Sequence, residues 1–179
     1  MYEHLAPLIK RISSLKVEAL PSPWSLVTSI SVGGLRSVGF ERNSDLLLIL
    51  SSQGREVVDC VSGEKISRDE EEFYENEEHL EAKGIGPLEN KIINVAGLFG
   101  GGLPTTTEDN WGLESVAIQW PVETLLLVEP GSDLYGSIHN YPDKFSKIEE
   151  SDTIRAYGFS HTGKSLIIAT SSDVTIYGR

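Results

Sequence analysis

The 179-residue sequence carries 15 Lys plus Arg against 27 Asp plus Glu, a formal net charge of −12, and 39% of its residues are hydrophobic. That hydrophobic share excludes a chain disordered by composition, and the length fits a single domain, 1–179, with a sizeable core. The acidic balance opposes phosphate backbones and anionic lipid, so no nucleic acid and no membrane is expected as partner; a basic protein is.

The single cysteine, Cys60, cannot form an internal disulfide, so nothing points to secretion. The opening MYEHLAPLIKRISSL has no basic start followed by an unbroken apolar run and does not read as a signal peptide. The longest purely apolar run, Leu46 to Leu50, is too short to cross a bilayer. These features point to a cytoplasmic protein.

In chain order, the first element is a helix over about 3–18. Leu5, Leu8, Ile9, Ile12 and Leu15 recur at three- and four-residue spacings and form one apolar stripe. Pro21 and Pro23 end that pattern. From Trp24 to the C-terminus, 24–179, short runs of Val, Ile, Leu and Tyr alternate with Gly, Asn, Asp, Ser and Pro, a strand-and-turn pattern. Strands are expected at Ser25 to Val32, Arg36 to Phe40, Leu46 to Ser51, Glu56 to Cys60, Lys91 to Ala96, Glu114 to Trp120, Thr124 to Val128, Ile154 to Phe159, Ser165 to Ala169 and Val174 to Tyr177.

Between the fourth and fifth of these lies RDEEEFYENEEHLEAKG, in which Asp69, Glu70, Glu71, Glu72, Glu75, Glu77, Glu78 and Glu81 crowd together. Such a run is expected as a solvated loop or short helix, with Phe73, Tyr74 and Leu80 able to anchor it. The glycine-rich stretch around Gly100, Gly101 and Gly102 is expected to be a long exposed loop.

The chain also repeats itself. LRSVGFERNSDLLLILSSQGREVV from Leu35, LESVAIQWPVETLLLVEPGSDLYG from Leu113 and IRAYGFSHTGKSLIIATSSDVTIY from Ile154 align without a gap. Phe40, Ile118 and Phe159 coincide, as do the blocks Leu47 to Ile49, Leu125 to Leu127 and Leu166 to Ile168. One such unit cannot bury its own apolar face, so the units must pack on one another. The stretches at 35–58 and 154–177, and more faintly 113–136, resemble blades of WD-repeat and related β-propellers. The resemblance implies antiparallel hairpin repeats in a small propeller-like ring and a binding platform rather than an enzyme. A β-sandwich, or a meander wrapped over the N-terminal helix, fits the residues nearly as well. The expected fold is mainly β, with antiparallel hairpin repeats and one N-terminal amphipathic helix.

GFSHTGKS, from Gly158 to Ser165, matches a phosphate-binding loop letter for letter. That chemistry needs a helix to begin at the lysine so that its amides face the phosphates. Here β-branched residues and Ser-Ser-Asp follow, so Lys164 is expected in a hairpin turn. None of His4, His79, His139 and His161 stands at metal-ligand spacing, and no calcium-loop or nucleophile-elbow pattern occurs. No metal, cofactor or catalytic residue is therefore expected. The expected function is a non-enzymatic acidic protein-interaction module, one version being an inhibitor or immunity-type protein that neutralises a basic partner. Its expected contacts are Asp69, Glu70, Glu71, Glu72, Glu77 and Glu78 in the acidic run, Glu108, Asp109 and Trp111 in the next loop, and Trp120 at a turn. The alternative is a small hydrolase or ligand-binding enzyme whose site assembles from His139, His161 and loop carboxylates.

Overall fold

A computed structural model describes residues 3–71 and 75–179. The expected anchors Phe73 and Tyr74, and the expected contact Glu72, lie outside the described residues. Strands make up 48% of the chain and helices 11%, so the mainly β expectation with one N-terminal helix holds. The chain forms two compact units, Met1–Ser22 with Thr105–Asp152, and Pro23–Pro104 with Thr153–Arg179.

In the first unit a 3-10 turn, Glu3–Leu5, leads into helix α1, Ala6–Ser14. Pro7 suits the start of α1 because its missing amide would have no intrahelical partner there. The helix is shorter than the expected 3–18. Ser13 Oγ donates to the Ile9 carbonyl at 2.8 Å and Ser14 Oγ to that of Arg11 at 2.7 Å, and Leu15 is already extended. The chain then runs beside a strand, where the Glu18 amide donates to the Lys147 carbonyl at 3.1 Å.

The stripe of α1 covers a three-stranded antiparallel sheet. Leu8 and Ile12 pack on Leu126, Val128, Leu134 and Phe145. Ile9, at the edge of the stripe, stays 42% exposed. Three strands of this unit, Gly112–Gln119, Val122–Val128 and Phe145–Ser151, pair in that order, and a one-turn helix, Gly136–His139, precedes the last of them.

The second unit begins with nine strands: β1 (Ser25–Ser31), β2 (Leu35–Phe40), β3 (Leu46–Ser51), β4 (Gly54–Asp59), β5 (Glu64–Asp69), β6 (Glu75–Asn76), β7 (Glu81–Lys83), β8 (Ile92–Asn94) and β9 (Ala96–Gly97). The three strands of the first unit are therefore β10, β11 and β12, and its helix of residues Gly136–His139 is α2. The chain closes with β13 (Ile154–Phe159), β14 (Ser165–Thr170) and β15 (Asp173–Gly178).

Among the described residues the second unit has three sheets, ordered β1-β15-β14-β13, β5-β4-β3-β2-β9 and β6-β7-β8. The five-stranded sheet lies between the other two. Leu47 and Ile49 point into a core shared with Ile167, Ala169, Val174 and Ile176. Leu48 and Leu50 point the other way, against Ala82, Leu88, Ile93 and Val95. Burial on both faces explains why β3 is an unbroken apolar run rather than an alternating one. Each such side chain contributes about 1.5–3 kcal/mol when withdrawn from water.

The hairpins β2–β3 and β13–β14 have matching registers. Phe40 pairs with Leu47 and Phe159 with Leu166; each first strand carries a bulge near its start, between Leu35 and Ser37 and between Ile154 and Ala156. The β10–β11 hairpin differs. Its loop is only Trp120 and Pro121, joined by a cis peptide bond, against five residues in the other two. Ile118, which the alignment matches with the buried Phe40 and Phe159, is 38% exposed, because the tighter turn moves it to the hairpin tip. The stretch 113–136 also departs after β11, where Tyr135 leads into α2 instead of a strand. No closed barrel or propeller is present among the described residues, so the ring implied by the propeller resemblance is not formed.

Candidate interaction surface

The acidic run is more structured than expected. Asp69 is the last residue of β5, and Glu75 to Lys83 form the β6–β7 hairpin in place of a loop or helix. Asp69 sits opposite Arg55 in the ladder, with its Oδ2 2.5 Å from Arg55 Nη2. Its carboxyl is held below the usual range, first by the Glu71 amide and then by Arg55. Glu70 meets Arg68 at 3.0 Å and is 71% exposed at its side chain. Glu71 and Glu78 are exposed.

Arg36, on β2, organises the centre. Its Nη2 lies 3.1 Å from Glu77 and its Nε 3.4 Å from Glu75, while its guanidinium stands 5.4 Å from the centre of the Phe99 ring. Glu75 departs from the expectation that every carboxylate of the run is solvated. Its side chain is 2% exposed and accepts a hydrogen bond from Ser37 Oγ. Ion pair and hydroxyl together offset the desolvation that would otherwise exclude it from the interior.

In the first unit, Glu108 and Asp109 occupy a tight turn. Thr107 Oγ1 donates to Asp109 Oδ1 at 2.7 Å and accepts from the Trp111 amide at 3.0 Å, and Asn110 adopts a left-handed conformation. Trp111 is 5% exposed and belongs to the packing of this turn rather than to a free face. Trp120 is the opposite case, 81% exposed at the tip of the β10–β11 hairpin. The glycine stretch is tighter than a long loop: Ala96–Gly97 pairs with β2, and Gly97 and Gly100 exchange backbone hydrogen bonds at 2.9 and 3.0 Å.

The phosphate-loop lookalike is a turn. Ser160 N donates to Ser165 O at 2.8 Å, Gly163 takes the left-handed conformation the turn requires, and β14 starts at Ser165. The hydroxyls of Thr162 and Ser165 both donate to Asp45, at 2.9 and 2.8 Å, and so tie this turn to the one between β2 and β3. His161, on the same turn, lines a groove of about 530 Å³ with Glu41 and Lys91. Glu41 is buried and 3.0 Å from Lys91. Its carboxyl is held low, chiefly by the Ser44 hydroxyl at 2.6 Å, against the upward push of burial. An ionised carboxylate already engaged in this way is a poor proton donor or acceptor for catalysis. His139 belongs to the first unit, at the end of α2, and is exposed. Burial pushes the Cys60 thiol far up, away from the thiolate that reactivity requires.

Arg36, Glu75 and Glu41 are the site residues that sequence reasoning missed, because their partners lie far away in sequence. No protein-family model matches the chain, and no curated protein is similar to it at a significant level.

Proposed function

We propose that the chain is a non-enzymatic protein-interaction module that docks a basic partner through the acidic surface at the end of β5 and along β6–β7. One observation carries this reading. Of six described carboxylates between Asp69 and Glu78, four pair with three guanidiniums, those of Arg36, Arg55 and Arg68, so the surface keeps an excess of negative charge. Glu70, Glu71, Glu77 and Glu78 are the exposed members. The arginines hold their carboxylates in defined positions, and ordered charge is what steers a basic partner. An inhibitor or immunity-type protein that neutralises a basic toxin is one form such a module takes, and the matching meanders β2–β4 and β13–β15 fit a scaffold built by internal duplication.

The test is isolation of the native complex by chemical cross-linking in the source cell, followed by binding kinetics with the purified partner. A basic partner cross-linked to residues of the acidic surface supports the reading. An acidic partner, or cross-links confined to other surfaces, refutes it.

A further inference from the structure

In the first unit a recess of about 350 Å³ opens beside the C-terminal end of α1, at Ser13, against the β10–β11–β12 sheet. Its floor is built by a bulge. Leu126 pairs with Lys147 and Leu125 with Glu149, so Ile148 is the extra residue on β12. Two residues three apart on a regular strand face opposite ways. The bulge returns Glu150 to the side of Lys147, and Thr124, paired with Glu150, joins them.

Lys147 is 2% exposed at its side chain, and its Nζ lies 3.1 Å from Glu150 Oε1, which also accepts from Thr124 Oγ1 at 3.3 Å. An ammonium has three donors, and burying it leaves each in need of an acceptor. Among the described residues Glu150 takes one. The other two are available to oxygen atoms within the recess. Glu150 is 46% exposed and keeps acceptor capacity on its second oxygen.

We propose that this recess binds a small neutral polyhydroxylated ligand, a sugar or related polyol, through Lys147 and Glu150. Hydroxyl groups both donate and accept, so neighbouring hydroxyls can serve such a pair at once: one accepts from Nζ while the next donates to the carboxylate. The ion pair carries no net charge, so it gives neither an anion nor a cation a net Coulombic attraction, whereas a neutral polyol gives up no charge hydration on entering. The volume lies within the range of small-molecule sites, about 300–1,000 Å³. Ile118 and Val122 supply an apolar wall. Trp120, next to the lining residue Gln119 in sequence, is 81% exposed at the hairpin tip.

The experiment is a titration of the full-length protein with D-glucose, D-galactose and glycerol, followed by backbone amide NMR, with sodium acetate and methylammonium chloride as charged comparators. The expected result is saturable, millimolar binding of at least one polyol, with shifts centred on residues 118–124 and 147–150. Glu150→Gln, a near-isosteric change at a half-exposed position, is expected to weaken that binding about tenfold or more, the effect of losing a charge-assisted hydrogen bond, with amide NMR showing that the fold is retained. Lys147→Met is the second variant and is expected to abolish it. Absence of saturable binding by all three polyols overturns the proposal. So does tighter binding of acetate or methylammonium than of any polyol, or polyol binding that neither variant alters.

Discussion

Lys147 and Glu150 stand three residues apart on β12 and still share one face of the sheet, with Nζ 3.1 Å from the carboxylate. The bulge at Ile148 is what brings them together. The pair is asymmetric, because the lysine is buried and the glutamate is half in water. Removing the glutamate leaves a buried charge without its counter-ion, whereas replacing the lysine by an apolar side chain of similar length removes the burden altogether. Glu150→Ala is therefore expected to cost about 1–3 kcal/mol, and Lys147→Met to be neutral or stabilising. In the double variant the loss from Glu150→Ala should disappear. Urea unfolding of the four proteins checks this.

Phe159 is fully buried at the end of β13, with its ring centre 5.4 Å from that of Trp24. Phe159→Ala is expected to cost about 3–5 kcal/mol. Ile118, which the sequence alignment places in the same position, is 38% exposed, and Ile118→Ala should cost under about 1 kcal/mol. Equal losses at the two positions would show that the β10–β11 hairpin buries Ile118 after all.

Much of the fold is legible in the sequence for reasons these positions illustrate. Leu46 to Leu50 announces a strand covered on both faces, and β3 is one. Strands β5, EKISRD, and β12, FSKIEES, are not legible as strands, because at the edge of a sheet charged side chains alternate with few apolar ones. The acidic run hides its structure for a different reason. Its buried Glu75 is stabilised by Arg36 and Ser37, partners about forty residues away in sequence, and no local pattern reports a pairing of that kind. The gap-free alignment also conceals the shorter turn at Trp120–Pro121, since the letters match while the register does not.

Glu41 makes the stability of the second unit depend on pH. Its carboxyl is held below its ordinary value of 4.5, so the folded state favours the ionised form. The stabilisation is complete above that value and is lost as pH falls through the lower folded value. Glu41→Gln should accordingly lower the melting temperature at pH 7, and the gap to the wild type should shrink as pH falls below the ordinary value of 4.5. Melting curves across that range check the sign; a gap that widens in acid would reverse it.

Lys164 stands in a hairpin turn, and Thr162 and Ser165 direct their hydroxyls at Asp45. Calorimetric titration with ATP or GTP and magnesium is expected to give no heat of binding. Asp45→Ala, in contrast, removes the acceptor for both hydroxyls and should destabilise the fold by about 1–3 kcal/mol.

The docking role rests on charge that acts at a distance, and its signature is kinetic. Changing Glu70, Glu71, Glu77 and Glu78 to Gln removes the exposed carboxylates and leaves Asp69 and Glu75 in their pairs with Arg55 and Arg36. The decisive measurement is the association rate of this variant with the native partner at low ionic strength. The predicted result is a rate at least about tenfold below that of the wild type, with the difference shrinking as salt screens the surface. An association rate equal to that of the wild type at low salt would contradict the account and leave the acidic run as a solvated edge.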